Sequence, residues 1–485
     1  MGGAAGLNLL FGMVRTKAAA IMIGSAGIGL LSNFTIIQTL ISTVSGLGIQ
    51  SSAVRDIANA EATGQRKSIA RSALALYRLC WLTGLAGSIA MLSFSSLFSA
   101  WVFGSENYAE AIAVLGITIL LNSLSGGLLA VIQGMQRIGD LARVNVLSAG
   151  TSSFLTIGLY AWLGLRGIVP ALMLIAIVQV AFSWFFAKRL FLPRVTVTWS
   201  ESMSESKSMI ALGISFMWSA LMVSIVGFAT NSLITHYIGL KGVGIYSAAF
   251  ALSGMFVNFV LNAMGTDYYP RLTKTAPDKD EMNRLVNEQT EIGILLATPG
   301  ILATISLAPW IIHFFYSAEF LPAAALLQWF ILGCLIRVIQ WPMGFLQLAL
   351  AKGKLFFLTQ TAFNMLHLVL IWLGIKLIGI NGVAVAFFLL YTFSLGVIKS
   401  VAKHLTDFQW SNQSRKLIMI AVPVVAATFT MAQFLPLWLA TISGMAITAA
   451  ATALCLRALI SRIGKEHRVV RAACKIPGIR MICGL

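Results

Sequence analysis

The sequence predicts an all-α polytopic membrane protein of about fourteen transmembrane helices, arranged as two parallel six-helix lobes plus two C-terminal helices. Three observations carry this. Of 485 residues, 58% are hydrophobic and 10% charged, whereas soluble domains carry about 25% charged residues. Apolar runs of the roughly 20 residues needed to cross a hydrocarbon core follow one another along the chain. An internal repeat divides those runs into two sets of six.

Polar or Gly-rich punctuation separates the runs near 4–24, 30–53, 72–99, 108–133, 144–163, 168–187, 209–236, 244–266, 291–314, 322–349, 355–377, 383–402, 417–435 and 439–460. The first has no basic region ahead of it and holds Arg15 and Lys17 inside it. A cleaved signal peptide has the opposite pattern, so the first helix is expected to stay. Five cysteines show no CxxC and no repeated spacing, which indicates neither a metal site nor a disulfide framework.

Alternate loops are basic. They hold Arg55 to Arg71, Arg137 and Arg143, Lys188 to Lys207, Arg271 to Arg284, Lys352 and Lys354, Lys399 to Lys416, and a tail from Arg457 onward. Together they contain 27 of the 34 Lys and Arg residues, and the other loops have only Arg166, Lys241 and Lys376. This bias places both termini in the cytoplasm, as an even number of spans requires. It also accounts for most of the net charge of +18 without nucleic acid, because a nucleic-acid binder needs basic patches on a polar surface. The opposite loops are short: SAGIG at 25–29, GLRG at 164–167, YIGLKGV at 237–243 and IGING at 378–382. None can house an outer catalytic domain, and no P-loop pattern occurs, so the chain reads as a non-enzyme with no cofactor and no metal.

The segment I-G-S-A-G-I-G-L-L-S, from Ile23 to Ser32, returns as I-G-L-K-G-V-G-I-Y-S from Ile238 to Ser247. A-W-L-G-L-R at Ala161 to Arg166 is answered by I-W-L-G-I-K at Ile371 to Lys376. Six helices separate the copies, so both halves enter the membrane in the same direction, as in transporters that hold substrate between two bundles. The expected organisation is an N-lobe over 1–190, a cytoplasmic linker over 191–208, a C-lobe over 209–402, two further helices over 403–460 and a basic tail over 461–485. That tail is suited to anionic inner-leaflet lipid.

Three cations lie deep in the spans: Arg15 and Lys17 in the first and Arg337 in the tenth. Arg78, near the start of the third, is expected to snorkel with the other end-of-helix cations. An Arg or Lys at the bilayer centre costs roughly 2.5–3.5 kcal/mol, so the three deep cations are expected to face the protein interior. Asn8, Gly12, Arg15, Ala19 and Met22 share one helical face, with Lys17 about 200° away from Arg15. Gly333, Arg337, Gln340, Trp341 and Gly344 share another, where Pro342 can break the backbone ladder. With acidic partners nearly absent at that depth, unpaired cations favour an anionic group such as phosphate, which Arg binds bidentately. Asn8, Asn33, Gln340, Trp341 and Asn364 are candidate glycan contacts, and Gln38, Asn122, Asn145, Asn231, Asn258, Asn262, Gln360 and His367 have the same capacity. Helix–helix hydrogen bonding is the commoner use of such residues.

The stretch I-G-S-A-G-I-G-L-L-S-N-F, followed by G-L-G-I-Q-S-S-A-V-R-D-I-A, resembles the first hairpin of Wzx-type O-antigen flippases. These belong to the polysaccharide transporter family, within the superfamily that also holds multidrug extruders and the lipid II flippase. The resemblance implies translocation of an undecaprenyl-pyrophosphate-linked oligosaccharide across a bacterial cytoplasmic membrane during O-antigen and lipopolysaccharide assembly, with the glycan between the lobes. It implies a groove for the polyprenyl tail at helices 13 and 14, and partnership with glycan polymerase or assembly proteins. Arg15 resembles by position a cavity arginine of the lipid II flippase. Further arginines of that relative have no counterpart here, where the chain reads T-V-S-G-L-G. A drug or cation antiporter of the same superfamily is the alternative. Such proteins generally use an embedded Asp or Glu, and helices 1 and 7 have none.

Overall fold

The computed structural model describes residues 2–190, 192–193 and 195–463; Arg194 and residues 464–485, most of the expected basic tail, lie outside the described residues. Those described are almost wholly helical, with no strand among them. The first half comprises α1 (Gly2–Met22), α2 (Gly24–Gly46), α3 (Ile49–Ala62), α4 (Arg66–Ser93), α5 (Ser95–Phe103), α6 (Ala109–Gly134), α7 (Ile138–Leu163) and α8 (Ile168–Ala187). The second comprises α9 (Trp199–Tyr237), α10 (Leu240–Lys274), α11 (Lys279–Phe315), α12 (Ala323–Ala349), α13 (Gly353–Ile378), α14 (Asn381–Thr406), α15 (Asn412–Phe434) and α16 (Leu437–Ile463).

Twelve stretches are long and apolar enough to cross a membrane. One of them, Ile138–Ala187, folds in two at the 3-10 turn Gly164–Gly167, so that α7 and α8 pack on each other. Taking α7 and α8 separately leaves α1 as the one expected span that hydropathy alone does not carry. Large apolar side chains stand on the surface, with Trp162 85% and Phe434 86% exposed. In a bilayer these face lipid, where in water they would mark an interaction site.

Two expected helices are broken. The run at 30–53 divides at Leu47 (φ 48°) and Gly48 (φ 63°), both left-handed, which turns α3 away from α2. The run at 72–99 begins earlier, at Arg66, and bends at Phe94 between α4 and α5.

Backbone conformation gives the repeat more sharply than side chains do. Left-handed Gly24 and Gly239, Gln136 and Ala351, and Gly164 and Gly379 form three pairs, each at the 215-residue offset that also separates Ser32 from Ser247. Gly164 therefore corresponds to Gly379, and the sequence match of Ala161–Arg166 to Ile371–Lys376 is five residues out of register. That match followed a shared Trp-Leu-Gly, whereas the helix ends define the equivalence. The break at Leu47 and Gly48 has no left-handed counterpart in α10.

The helices group into two compact units. Unit 1 holds residues 1–247 and 314–319, and unit 2 holds 248–313 and 320–485. Compactness thus divides the chain after Ser247 and not at 191–208, because α9 packs along α2, α3, α4 and α5. The segment before α9 is itself held down: Arg78 donates to the carbonyls of Val197 (2.9 Å) and Thr198 (3.0 Å) and stacks 4.7 Å from the Trp199 ring. Those carbonyls give the Arg78 guanidinium charge-assisted bonds. A core of Ile49, Ile57, Leu76, Leu79, Val131 and Phe186 locks α3, α4, α6 and α8 of unit 1 together. In unit 2, Tyr268, Leu272, Val286, Met343, Leu346 and Phe408 do the same for α10, α11 and α12.

Candidate functional site

α1 lies along α7, where the Ser153 hydroxyl donates to the Phe11 carbonyl at 3.3 Å. One turn on, Arg15 is half-buried and close enough to Tyr160 of α7 for its charge to act on the phenol. Arg15 has no hydrogen-bond or ion-pair partner among the described residues. In unit 2, Arg337 is in the same condition on α12, a helix whose most apolar stretch is 72% buried. Its charge acts on Cys334 and on Tyr391 of α14. Both arginines are therefore enclosed by protein on at least one side, and no acid among the described residues pairs with either.

Lys17 differs from them. Its ammonium donates to the Tyr316 carbonyl, in the segment of unit 1 that follows α11, so it is not free as the sequence suggested. A backbone acceptor 299 residues away leaves no trace in local sequence. The same end of unit 1, opposite the basic loops, is fastened by Glu319. Its carboxylate accepts from the Ser25 amide (3.0 Å) and hydroxyl (2.5 Å), with Lys241 at 3.9 Å. These hydrogen bonds, and then the lysine, hold the Glu319 carboxyl below the usual carboxylate range.

Most of the expected glycan contacts are committed to packing. Trp341 is stacked among Tyr268 (5.8 Å) and Phe345 (4.7 Å). Gln340 accepts from Ser394 at 2.7 Å, and Asn364 donates to the Gln360 carbonyl of its own helix at 2.7 Å. Gly333 packs against Phe387, and α12 runs through Pro342 without ending. On the expected stripe of α12, Gly333, Gln340 and Trp341 are in contact with neighbouring helices, whereas nothing lies within 4 Å of a Cβ on Gly344. Asn33 is fully buried and donates to Thr235 at 2.9 Å. Its side-chain oxygen and that of Asn8 have no hydrogen-bond partner among the described residues.

A polar cavity of about 470 Å³ opens within unit 1 between α2, the start of α3, α6 and α9. Its α2 wall is Thr35, Gln38, Thr39, Ser42 and Thr43, one face by helical spacing. The break at Leu47 and Gly48 brings Gln50 and Ser51 of α3 to the same space, and α6 adds Asn122 and Ser123. No charged side chain lines it among the described residues. None of Arg15, Lys17, Arg337, Asn8, Asn33, Gln340, Trp341 and Asn364 is in its wall; Gln38 and Asn122 are. The signal for this wall was present in the sequence as T-I-I-Q-T-L-I-S-T, a polar stripe in an apolar helix.

Comparison with known proteins agrees with this architecture. A family model described as "Polysaccharide biosynthesis protein" matches residues 21–325. The lipid III flippase of Escherichia coli (strain K12) is 22% identical over 397 residues, 78% of this chain and 91% of that protein. Among solved structures, an inward-facing multidrug resistance MATE family transporter of the MOP superfamily superposes with a TM-score of 0.67 at 16% identity, covering 82% of this chain and 96% of that one. The lipid II flippase MurJ in its inward closed conformation gives 0.64 at 15% identity, covering 95% and 99%. At those identities the structural likeness is one of fold. The chain belongs to the polysaccharide biosynthesis protein family and shares the all-helical fold of the MATE-family transporter and MurJ structures on which it superposes.

Proposed function

We propose that this protein is a flippase for lipid-linked oligosaccharide, moving an undecaprenyl-pyrophosphate-linked O-antigen or polysaccharide repeat unit from the cytoplasmic to the periplasmic leaflet of a bacterial inner membrane by alternating access. The observation that carries the reading is the pair of intramembrane arginines, Arg15 and Arg337, each without an acidic partner among the described residues. A cation held in a low-dielectric slab is costly unless an anion visits it, and the pyrophosphate of such a substrate is that anion. Lys17 contributes positive charge nearby while anchored to Tyr316. The family and the lipid III flippase relative support the substrate class. Both termini lie in the cytoplasm on this reading, and the chain works beside the glycan-assembly proteins that supply and consume its substrate.

A cation antiporter is the second reading, favoured by the fold likeness to a MATE transporter. Against it, no Asp or Glu lies in Gly2–Met22 or Met217–Tyr237. Glu291, buried in α11, accepts from the hydroxyls of Ser411 (2.9 Å) and Ser414 (2.7 Å) at the start of α15, where it fastens two helices together. The test is export of surface glycan by cells carrying Arg15→Ala with Arg337→Ala. Loss of export with normal membrane insertion supports the flippase. Intact export with cation efflux abolished by Glu291→Gln supports the antiporter.

A further inference from the structure

The cavity of unit 1 has a chemistry unlike that of the arginines. In Thr35, Thr39 and Thr43 the hydroxyl proton is already donated, to the carbonyls of Leu31 (2.7 Å), Thr35 (2.8 Å) and Thr39 (2.7 Å). Ser123, on the facing helix α6, donates to the Cys80 carbonyl at 2.9 Å. A hydroxyl has one proton and two lone pairs, so these four oxygens can only accept from anything that enters. Gln38 donates one amide N–H to Thr118 at 2.6 Å, which leaves its second N–H and its carbonyl oxygen for the cavity.

Helical threonines often bond back to the preceding turn, and alone that signifies nothing. Here three in succession on one face border a cavity of about 470 Å³, within the size range of small-molecule sites. A group entering this space meets the lone pairs of the three threonines beside the hydroxyls of Ser42 and Ser45, and no charged side chain among the described lining residues. A phosphate or uronate would face the threonine lone pairs with no cation in the lining to offset its charge, so this cavity disfavours it. A neutral sugar is rich in O–H and N–H donors, which the α2 wall accepts. Its ring and hydroxyl oxygens in turn match the amides of Gln50 and Asn122, for which no hydrogen-bond partner is present among the described residues.

We infer that the unit 1 cavity is the subsite for uncharged sugar residues of the transported glycan, and that Thr35, Thr39 and Thr43 set its preference for neutral over anionic groups. The inference rests on the flippase reading and divides the labour within it. The arginines take the pyrophosphate, and the threonine face takes sugar. The glycan next to the lipid anchor should therefore present a neutral residue, such as a hexose or an N-acetylhexosamine, to this wall.

The experiment uses the full-length protein in lipid nanodiscs and saturation-transfer NMR with three probes: methyl N-acetylglucosaminide, methyl glucuronide and inorganic pyrophosphate. The neutral glycoside should bind, the glucuronide should bind at least tenfold more weakly, and pyrophosphate should not displace the neutral glycoside. Thr39→Val with Thr43→Val, which keeps shape and removes the acceptors, should abolish glycoside binding. Thr39→Ser with Thr43→Ser should restore it, which separates lost acceptors from lost folding. Equal binding of glucuronide, undiminished glycoside binding by the valine variant, or no glycoside binding by folded wild type would each overturn the inference. Failure of the flippase reading is seen separately, as normal glycan export by the double-arginine variant.

Discussion

The hydroxyl of Ser247 donates to that of Ser32 at 2.8 Å across a separation of 215 residues, so a residue meets its own equivalent in the second copy of the repeat. The neighbouring backbones meet in the same reciprocal way. A Cβ on Gly29 would stand 2.0 Å from the Leu240 carbonyl oxygen, and one on Gly244 would stand 2.0 Å from the Ser25 carbonyl oxygen. Adding the repeat offset to Ser25 and Gly29 gives Leu240 and Gly244. The contact is therefore self-complementary about a local two-fold axis, as in an isologous interface. Ser32→Cys with Ser247→Cys should form an intramolecular disulfide on oxidation, detected as a linked peptide pair by mass spectrometry, because hydroxyls this close put the Cβ atoms in bonding range. A folded double variant that stays reduced under oxidant contradicts the packing.

A second close approach lies at the α2–α3 break. Gly48 has φ 63°, and a Cβ there would meet the Gly213 carbonyl oxygen at 2.2 Å; a Cβ on Gly213 would meet the Leu47 carbonyl oxygen at 2.3 Å. The left-handed conformation alone costs a non-glycine residue roughly 1–2 kcal/mol, and the backbone clash adds to it. Gly48→Ala and Gly213→Ala should each lower the thermal unfolding midpoint clearly. Gly46→Ala is the control, since nothing lies within 4 Å of its Cβ position. Equal stability of all three in a detergent melting assay would show that the approach is not required.

Glu319 gives a pH dependence whose sign is fixed. Its folded-state pKa is depressed by Ser25 first and Lys241 last, so its stabilisation is present above the unfolded carboxylate value and is lost as pH falls through the lower folded value. The side chain is 43% exposed, and solvent screening limits the effect to about 1 kcal/mol or less. Wild type should be slightly more stable than Glu319→Gln at neutral pH, and the two should converge in acid. Melting curves at a series of pH values check this, and a gap that widens towards acid would reverse the assignment.

Arg15 and Lys17 sit two residues apart on α1 with different surroundings, and their substitutions should separate. Lys17→Met removes the bond to the Tyr316 carbonyl and should lower stability while export persists at reduced level. Arg15→Ala removes no protein partner and should keep stability while export falls to the level of a strain lacking the protein. Thermal stability and surface glycan measured side by side decide it. Identical behaviour of the two variants would mean that Lys17 acts on substrate as Arg15 is proposed to do.

Hydropathy and loop charge made most of the helices legible, and the run expected at 168–187 matches α8 end for end. The break at Leu47 and Gly48 was not legible, because Gly-Leu-Gly inside an apolar run also suits a continuous helix. Packing against Gly213, far along the chain, decides between them. The deep arginines were found because charge in an apolar span is rare and costly. The cavity wall was missed because threonine and serine are cheap in membrane helices once they bond back to the helix, and only the tertiary structure reveals that theirs face an empty space. Trp341 and Gln340 shared a face with Arg337 by periodicity, yet Tyr268, Phe345 and Ser394 occupy that face.

The most direct test of the central claim is the leaflet distribution of lipid-linked oligosaccharide in cells whose only copy carries Arg15→Ala and Arg337→Ala, with membrane insertion verified. The account predicts that the lipid-linked glycan accumulates on the inner leaflet, to the same extent as in a strain lacking the protein, and that surface glycan disappears. Normal surface glycan from a stably inserted double variant would contradict it.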